Sequence, residues 1–367
     1  MSDARDPDEV ARRLAAIVTL GDFEPLARAV MEPSAFDYVA GGSWDEISLH
    51  ENIAAWRRRR FRPRVLVDVS GVDTASTFLG QPSALPVAIA PMAFQSLAHP
   101  DGEIEAARGA AIAGIPYTLS TTSSQSIEAV AARAQGGTLW FQLYTQADPA
   151  VTRSLVERAE AAGYRAIILT VDLPVLGYRD RDRRASFLLP HMGNFADAPA
   201  THGRAALDSP SLLHAPGMEP TLVWADVSTI RSWTSLPLVL KGIMTADDAR
   251  LAVEHGVDAI VVSNHGGRQL DRLPAAVDVL AEVVGVVGGR AEVWVDGGIR
   301  RGLEIAIARA LGAQGVLIGR PIYWALAAGG AVGVERAIAI LREEFALALA
   351  LLGTPTPSDI GPEHLVG

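Results

Sequence analysis

Cysteine is absent from all 367 residues. Disulfides, thiolate metal sites, iron–sulfur clusters and a cysteine nucleophile are therefore excluded. Positive charge is also in short supply: 32 Lys and Arg face 42 Asp and Glu, a formal charge of −10. Bulk electrostatics therefore favour neither nucleic acid nor an anionic membrane, and any bound anion has to be captured by a local cluster. No apolar run reads as long enough to span a bilayer, since the most apolar late stretch, 345–352, is too short. The charged start MSDARDPDEV lacks the apolar segment of a secretory signal, and the expectation is a cytoplasmic protein with no membrane partner. The eight histidines are scattered, with no helix-spaced pair beside a carboxylate, which disfavours metal catalysis.

Hydrophobic residues, by contrast, make up 49% of the chain, ample for a large core. Residues 6–30 and 34–56 have apolar positions at helical spacing, and the basic run 57–60 leads into an extended segment over 61–72. From Pro86 onwards, short β-branched or aliphatic runs alternate with amphipathic helices. Strands are expected at 87–90, 117–120, 139–143, 166–171, 238–241, 259–262, 293–296 and 316–318. Gly114, Gly163, Gly256 and Gly312 fall where helices should end; Asp148-Pro149 and Thr245 with Asp248 fall where they should begin. Eight strands alternating with about eight helices predict a (β/α)8 TIM barrel, an α/β fold, preceded by an N-terminal helical segment. A doubly wound sheet is the alternative, but the first strand–helix turn has no Gly-x-Gly-x-x-Gly. About forty residues rich in Pro, Gly, His, Ala and Asp follow the fourth strand without periodicity and read as a lid.

In such a barrel the site lies at the C-terminal strand ends. Those ends read Pro91-Met92-Ala93, then Ser120 and Thr122, Gln142 and Tyr144, Thr170 and Asp172, and Lys241. Ser263, His265 and Arg268 follow, then Asp296-Gly297-Gly298 and finally Gly319-Arg320. A His-Gly-Gly turn alone can be no more than a tight loop. Polar or small residues at all eight ends are more than turn formation requires. The Gly- and Arg-containing loops 296–302 and 318–320 each lead into a helix N-terminus, the usual phosphate site of these barrels. Lys241, ending an apolar strand, needs an electron-rich partner to be buried. Asp172 beside His265 would fix the imidazole tautomer and favour its protonated form. Arg268 and Arg179 can each grip a carboxylate with two donors.

The run Ser-Asn-His-Gly-Gly-Arg-Gln-Leu-Asp at 263–271 resembles the active-site signature of the FMN-dependent (S)-2-hydroxy acid oxidases and dehydrogenases, the group of glycolate oxidase, lactate oxidase, mandelate dehydrogenase and hydroxymandelate oxidase. The resemblance spans nearly the whole chain, through Phe36-Asp37-Tyr38 to Gly41-Gly42, Ala98-His99-Pro100-Asp101-Gly102-Glu103, Phe141-Gln142-Leu143-Tyr144, Thr170-Val171-Asp172, Leu240-Lys241-Gly242 and Asp296-Gly297-Gly298-Ile299-Arg300. It implies one domain over 1–367: helical segment 1–61, barrel 86–350, lid 173–222 and tail 351–367. It also implies FMN as cofactor, a small 2-hydroxy acid and O2 as partners, and a homotetramer.

By the same resemblance His265 is the base, oriented by Asp172. Arg268 and Arg179 hold the substrate carboxylate with Tyr38, and Tyr144 bonds the 2-oxygen. Lys241 stabilises negative charge on the reduced ring. Ala90, Pro91, Met92, Ala93, Ser120, Gln142, Thr170 and Ser263 line the ring and ribityl chain, while Asp296, Gly298, Arg300, Gly319 and Arg320 hold the ribityl and phosphate end. The histidine takes its proton from either the α-carbon or the hydroxyl, and the acceptor is O2, giving hydrogen peroxide, or in a dehydrogenase a quinone or carrier. Thr122 stands where the glycolate-type enzyme has a bulky tryptophan and Tyr178 where it has an arginine, so the substrate is expected to exceed glycolate in size: mandelate, 4-hydroxymandelate or a larger aliphatic acid, with a lactate oxidase as the alternative. Ala93 is the residue typical of oxidases at its position, which favours peroxide release.

Overall fold

The computed structural model describes residues 12–134, 136–185, 187–195 and 219–366. Strands β1 (Ser76–Phe78) and β2 (Gln81–Ser83) form an antiparallel hairpin. The next eight strands are β3 (Val87–Met92), β4 (Tyr117–Ser120), β5 (Leu139–Leu143), β6 (Ile167–Thr170), β7 (Leu238–Ile243), β8 (Ala259–Val262), β9 (Glu292–Asp296) and β10 (Gly315–Ile318). They close into one parallel barrel, β10 pairing with both β9 and β3. The expected strands are all present within a residue or two of their bounds, with helices between them.

Side chains alternate along each strand, so one parity faces the lumen and the other the helices. Ala88, Ala90, Trp140, Ala166, Ile168, Val239, Ala259, Val261, Trp294 and Leu317 pack together inside, while their neighbours Ile89, Phe141, Ile167, Leu240, Ile260, Val262 and Val295 join the outer core. The indole rings of Trp140 and Trp294 stack at 5.0 Å and fill the lumen, and Phe78 meets both edge-on at 5.5 and 5.2 Å. The β1–β2 hairpin therefore plugs the N-terminal end of the barrel, fastened by the Leu79 N–H donating to Glu292 Oε1 at 2.9 Å.

Three expectations need correction. The helical reading of 34–56 splits into Pro33–Ala40 and Ile47–Arg57, because Gly41 and Gly42 pass too close to Asp37 and Gly267 for any side chain. Within the described part of 6–30, helical residues at 12–15 give way at 16–19, and a 3-10 turn at Leu20–Asp22 then leads into helix Phe23–Val30. The segment 61–72 contributes one bridge, Phe61 to Leu365, and the strands appear later, in the hairpin.

A fourth concerns length: helix Arg320–Leu352 has 33 residues and is apolar enough to cross a membrane, but 72% of its apolar window is buried in the protein. It packs against helices Gly102–Ala113 and Phe23–Val30, so its apolarity is that of a core helix. The central part of the expected lid, 196–218, lies outside the described residues.

Replacing Phe78 by Ala removes a fully buried ring from the barrel floor. The variant should lose about 3–5 kcal/mol in urea unfolding; a loss below about 1 kcal/mol would mean that the hairpin does not plug the barrel.

Candidate active site

The lumen parity carries straight on into the site. After the inward residues of each strand come Ala90, Ser120, Gln142, Thr170, Lys241, Ser263, Asp296 and Gly319, the next inward position at every C-terminal end. One cavity of ≈330 Å³ opens there. Ala90, Pro91, Met92, Ala93, Ser120, Thr122, Tyr144, Thr170, Lys241, His265, Arg268, Asp296, Gly298, Arg300, Gly319 and Arg320 line it, joined by Tyr38 and Arg179 from outside the barrel. Gln142, Asp172 and Ser263 stand behind this wall, each hydrogen-bonded to a lining residue.

The histidine sits on a left-handed turn, with φ of 58° at His265 and 63° and 75° at the two following glycines. A Cβ on Gly267 would stand 2.5 Å from the Leu49 nitrogen, so the start of helix Ile47–Arg57 seats directly on the turn. The His265 N–H donates to Ser263 Oγ at 3.1 Å. Nδ1 of the ring meets Asp172 Oδ1 at 2.8 Å. With Nδ1–H donated to the carboxylate, Nε2 is the acceptor and faces the cavity 3.5 Å from Tyr144 Oη, too far for a strong bond between them.

Burial lowers the His265 pKa below its ordinary value, with the Lys241 charge adding to this, and the opposing Asp172 carboxylate does not make up the difference. Asp172 favours the protonated ring as expected, but the desolvation of the imidazole outweighs this one carboxylate and the net shift is downward. Asp172 itself is held below its usual value; burial raises it, but His265 and Lys241 together outweigh burial.

Lys241 is 4% exposed. It reaches Ser263 Oγ at 2.9 Å and Asp296 Oδ2 at 3.2 Å. Burial alone would lower its pKa, yet Asp296 and Asp172 raise it, so the ammonium persists at the head of the cavity. Arg268 gives one edge of its guanidinium to the carbonyls of Tyr38 at 2.6 Å and Gly41 at 3.0 Å, and lies over the Tyr38 ring at 5.0 Å. Burial and the nearby Arg179 bring it down to about 10, still cationic at neutral pH. Arg179 approaches the Arg268 carbonyl at 3.4 Å and Asp182 at 3.8 Å. Two guanidiniums thus lie close together in the cavity wall that also holds the imidazole. Arg320 is tied to the carbonyls of Val39, Gly41 and Gly266 at 2.9–3.0 Å. It braces the 39–41 segment against the histidine turn as well as lining the wall.

The wall also contains buried polar atoms with no protein partner: Gln142 Nε2, Thr170 Oγ1 and Asp296 Oδ1. Left unpaired, each is costly. One donor, one hydroxyl and one acceptor spread over β5, β6 and β9 suit the alternating carbonyl and N–H edge of a flavin, and the apolar Ala90-Pro91-Met92 backing suits its face. The residues present therefore fit FMN. Among the described residues no cluster could hold a metal ion.

Sequence reasoning missed two contributions. Gly242 bulges out of β7 with φ of 112°, and a Cβ there would lie 2.5 Å from the Asp172 Cβ. The missing side chain is what lets Asp172 reach His265; its only signal in the sequence was a glycine following the strand-ending lysine. The outer wall is built from Leu176, Phe187, Leu189, Met192 and Phe195, all within the aperiodic stretch after the fourth strand, with Phe187 stacked on Tyr38 at 4.5 Å. Thr122 and Ala93 line the cavity as expected, and Tyr178 stands at its rim, 40% exposed.

Comparison with known proteins identifies the family. The family described as FMN-dependent dehydrogenase matches residues 27–367. The chain belongs to the FMN-dependent (S)-2-hydroxy acid oxidase family. It is 49% identical over 362 residues to an L-lactate oxidase from Nostoc sp., covering 95% of this chain and 98% of that one. It is 44% identical over 353 residues to glycolate oxidase 1 of Oryza sativa subsp. indica, covering 95% of each. A crystal structure of mandelate oxidase superposes with a TM-score of 0.87 at 44% identity, covering 96% of this chain and 98% of that one. FMN is the cofactor of this oxidase family.

Substituting Gly242 by Ala pushes Asp172 away from His265. The variant should retain FMN while turnover falls about 100-fold. Unchanged turnover with bound FMN would show that the Asp172–His265 contact does not depend on this approach.

Proposed function

We propose that this protein oxidises an (S)-2-hydroxy acid larger than glycolate to the 2-oxo acid and passes the electrons to O2, giving hydrogen peroxide. The observation carrying this is the His265–Asp172 pair at 2.8 Å, whose Nε2 shares one cavity with Tyr144 and the Arg268 and Arg179 guanidiniums. FMN, when bound, supplies the two-electron acceptor. Gln142, Thr170, Lys241 and Asp296 would hold the polar edge of its ring, Ala90, Pro91, Met92 and Ala93 its face, with Ser120 and Ser263 alongside. Gly298, Arg300, Gly319 and Arg320 would hold the phosphate end.

The free edges of Arg268 and Arg179 take the substrate carboxylate, with the Tyr38 ring packed below Arg268. A carboxylate held by the arginines brings the 2-hydroxyl to His265 Nε2 and Tyr144 Oη, which lie 3.5 Å apart. The buried, neutral imidazole takes one proton of the substrate as the C–H and O–H bonds give way to C=O, and Asp172 stabilises the imidazolium formed. Lys241 fixes positive charge where electrons accumulate. Return of two electrons and two protons to O2 yields one hydrogen peroxide.

The substrate's side chain determines the specificity. Thr122 at the wall, hydrogen-bonded to Ser120 at 3.1 Å, is small enough to admit a bulky group. The 49% identity to an L-lactate oxidase favours (S)-lactate as a second reading. Anaerobic reduction across glycolate, (S)-lactate, (S)-mandelate and (S)-4-hydroxymandelate, followed by a peroxide assay, separates these. Mandelate-sized acids should bleach the flavin fastest, and Thr122→Trp should penalise them at least about tenfold more than glycolate. Equal effects on both would remove Thr122 from the pocket wall, and reduction without peroxide would point to a quinone or carrier as acceptor.

A further inference from the structure

Arg183 at the mouth of the cavity has no part in the chemistry above, and its setting differs from that of its neighbours. It lies in the short helix Asp180–Arg184. Each arginine around it has a carboxylate: Arg179 has Asp182 at 3.8 Å, Arg181 has Glu46 at 2.6 Å and Asp37 at 3.6 Å, and Arg184 has Asp180 at 2.8 Å. Among the described residues Arg183 has none, yet it lines the cavity. Its guanidinium carbon sits 4.1 Å from the centroid of the Tyr178 ring. Tyr178 in turn stacks on Trp44 at 6.1 Å, and its carbonyl accepts the Trp44 N–H at 2.8 Å. A cation laid on an aromatic pair fastened by backbone is held ready for a ligand rather than left to move in solvent.

The charges in the cavity leave this one unmatched. Lys241 is paired with Asp296 at 3.2 Å, and Arg179 has Asp182. Arg300 and Arg320, in the loops after β9 and β10, would hold the phosphate of FMN. Arg268, together with the free edge of Arg179, takes the substrate's first carboxylate. Resting on the oxidase reading above, we propose that Arg183 is a second anion site, so that the favoured substrate is a 2-hydroxy acid bearing a further carboxylate at the far end of its side chain. Arg179 immediately precedes the short helix in extended backbone and Arg183 lies within it, and both line the one cavity, so a chain gripped at one end by Arg179 and Arg268 meets a further cation in the same enclosure. Thr122 leaves the width for such a chain, and Arg183 supplies its terminus with a partner.

The test compares (S)-2-hydroxyglutarate with (S)-2-hydroxypentanoate, equal in carbon number and differing in the terminal carboxylate, in the FMN-loaded wild type and in Arg183→Leu and Arg183→Lys. In the wild type kcat/KM should favour the diacid by about tenfold or more, and added salt should erode that preference. The preference should fall about tenfold in R183L and be partly kept in R183K, through KM rather than kcat. Turnover of the monoacid with no diacid preference, or a preference untouched by R183L, overturns the second site and leaves the oxidase reading intact. Failure of every monoacid, including lactate and mandelate, to reduce the flavin overturns both.

Discussion

Every second side chain of a closed parallel barrel points into the lumen, and this constraint governs most of what the protein has at its site. The lower positions of the inward rows are filled by Trp140, Trp294 and small aliphatic residues, plugged from below by Phe78. The last inward position of each row is then a buried seat at a fixed height, in or just behind the cavity wall. Ser120, Gln142, Thr170, Lys241, Ser263 and Asp296 occupy those seats, so a single pattern of alternation places hydrogen-bonding groups from strands far apart in sequence around one cavity. A shift of one residue in any strand would exchange a core aliphatic for a functional group.

Burial then sets the charge states. The same enclosure that lowers His265 would lower Lys241 too, but Lys241 has carboxylates close by and remains an ammonium. The result is a neutral imidazole within a few ångströms of a retained cation, with Asp172 shared between the two. Two carboxylates, Asp172 and Asp296, thus do different work: one orients the base, the other keeps the lysine charged. Outside the barrel, Tyr38 and the 39–41 carbonyls hold Arg268 and Arg320, so the N-terminal helices are structural parts of the site rather than an appendage.

Much of this was legible in the sequence because strand ends carry their own signal. Lys241 closing Leu238-Val239-Leu240 and Ser263-Asn264-His265 closing Ala259 to Val262 announce residues that an ordinary turn does not need. The rest depends on tertiary contact. No periodicity reveals that Gly242 must lack a side chain for Asp172 to approach, or that Gly267 carries the start of helix Ile47–Arg57. The break at Gly41-Gly42 was hidden in a helical pattern because the histidine turn, more than two hundred residues later, imposes it. The pairing of His265 with Asp172 can be guessed from residue types, whereas the burial that outweighs it cannot. The aperiodic stretch after the fourth strand concealed the apolar outer wall and Arg183 for the same reason.

The chemistry turns on a neutral His265, its pKa lowered by burial, acting as the base. The most direct measurement is the pH profile of anaerobic flavin reduction by (S)-mandelate in the wild type and in His265→Ala. Loss of protons from a histidine with a lowered pKa should make the wild-type rate rise from an acid limb inflecting below pH 6.5 to a plateau. The variant should keep its FMN spectrum, lose that limb and reduce about 10²- to 10⁴-fold more slowly. A variant that reduces at the wild-type rate with the same limb, or a wild-type inflection well above pH 6.5, would contradict it.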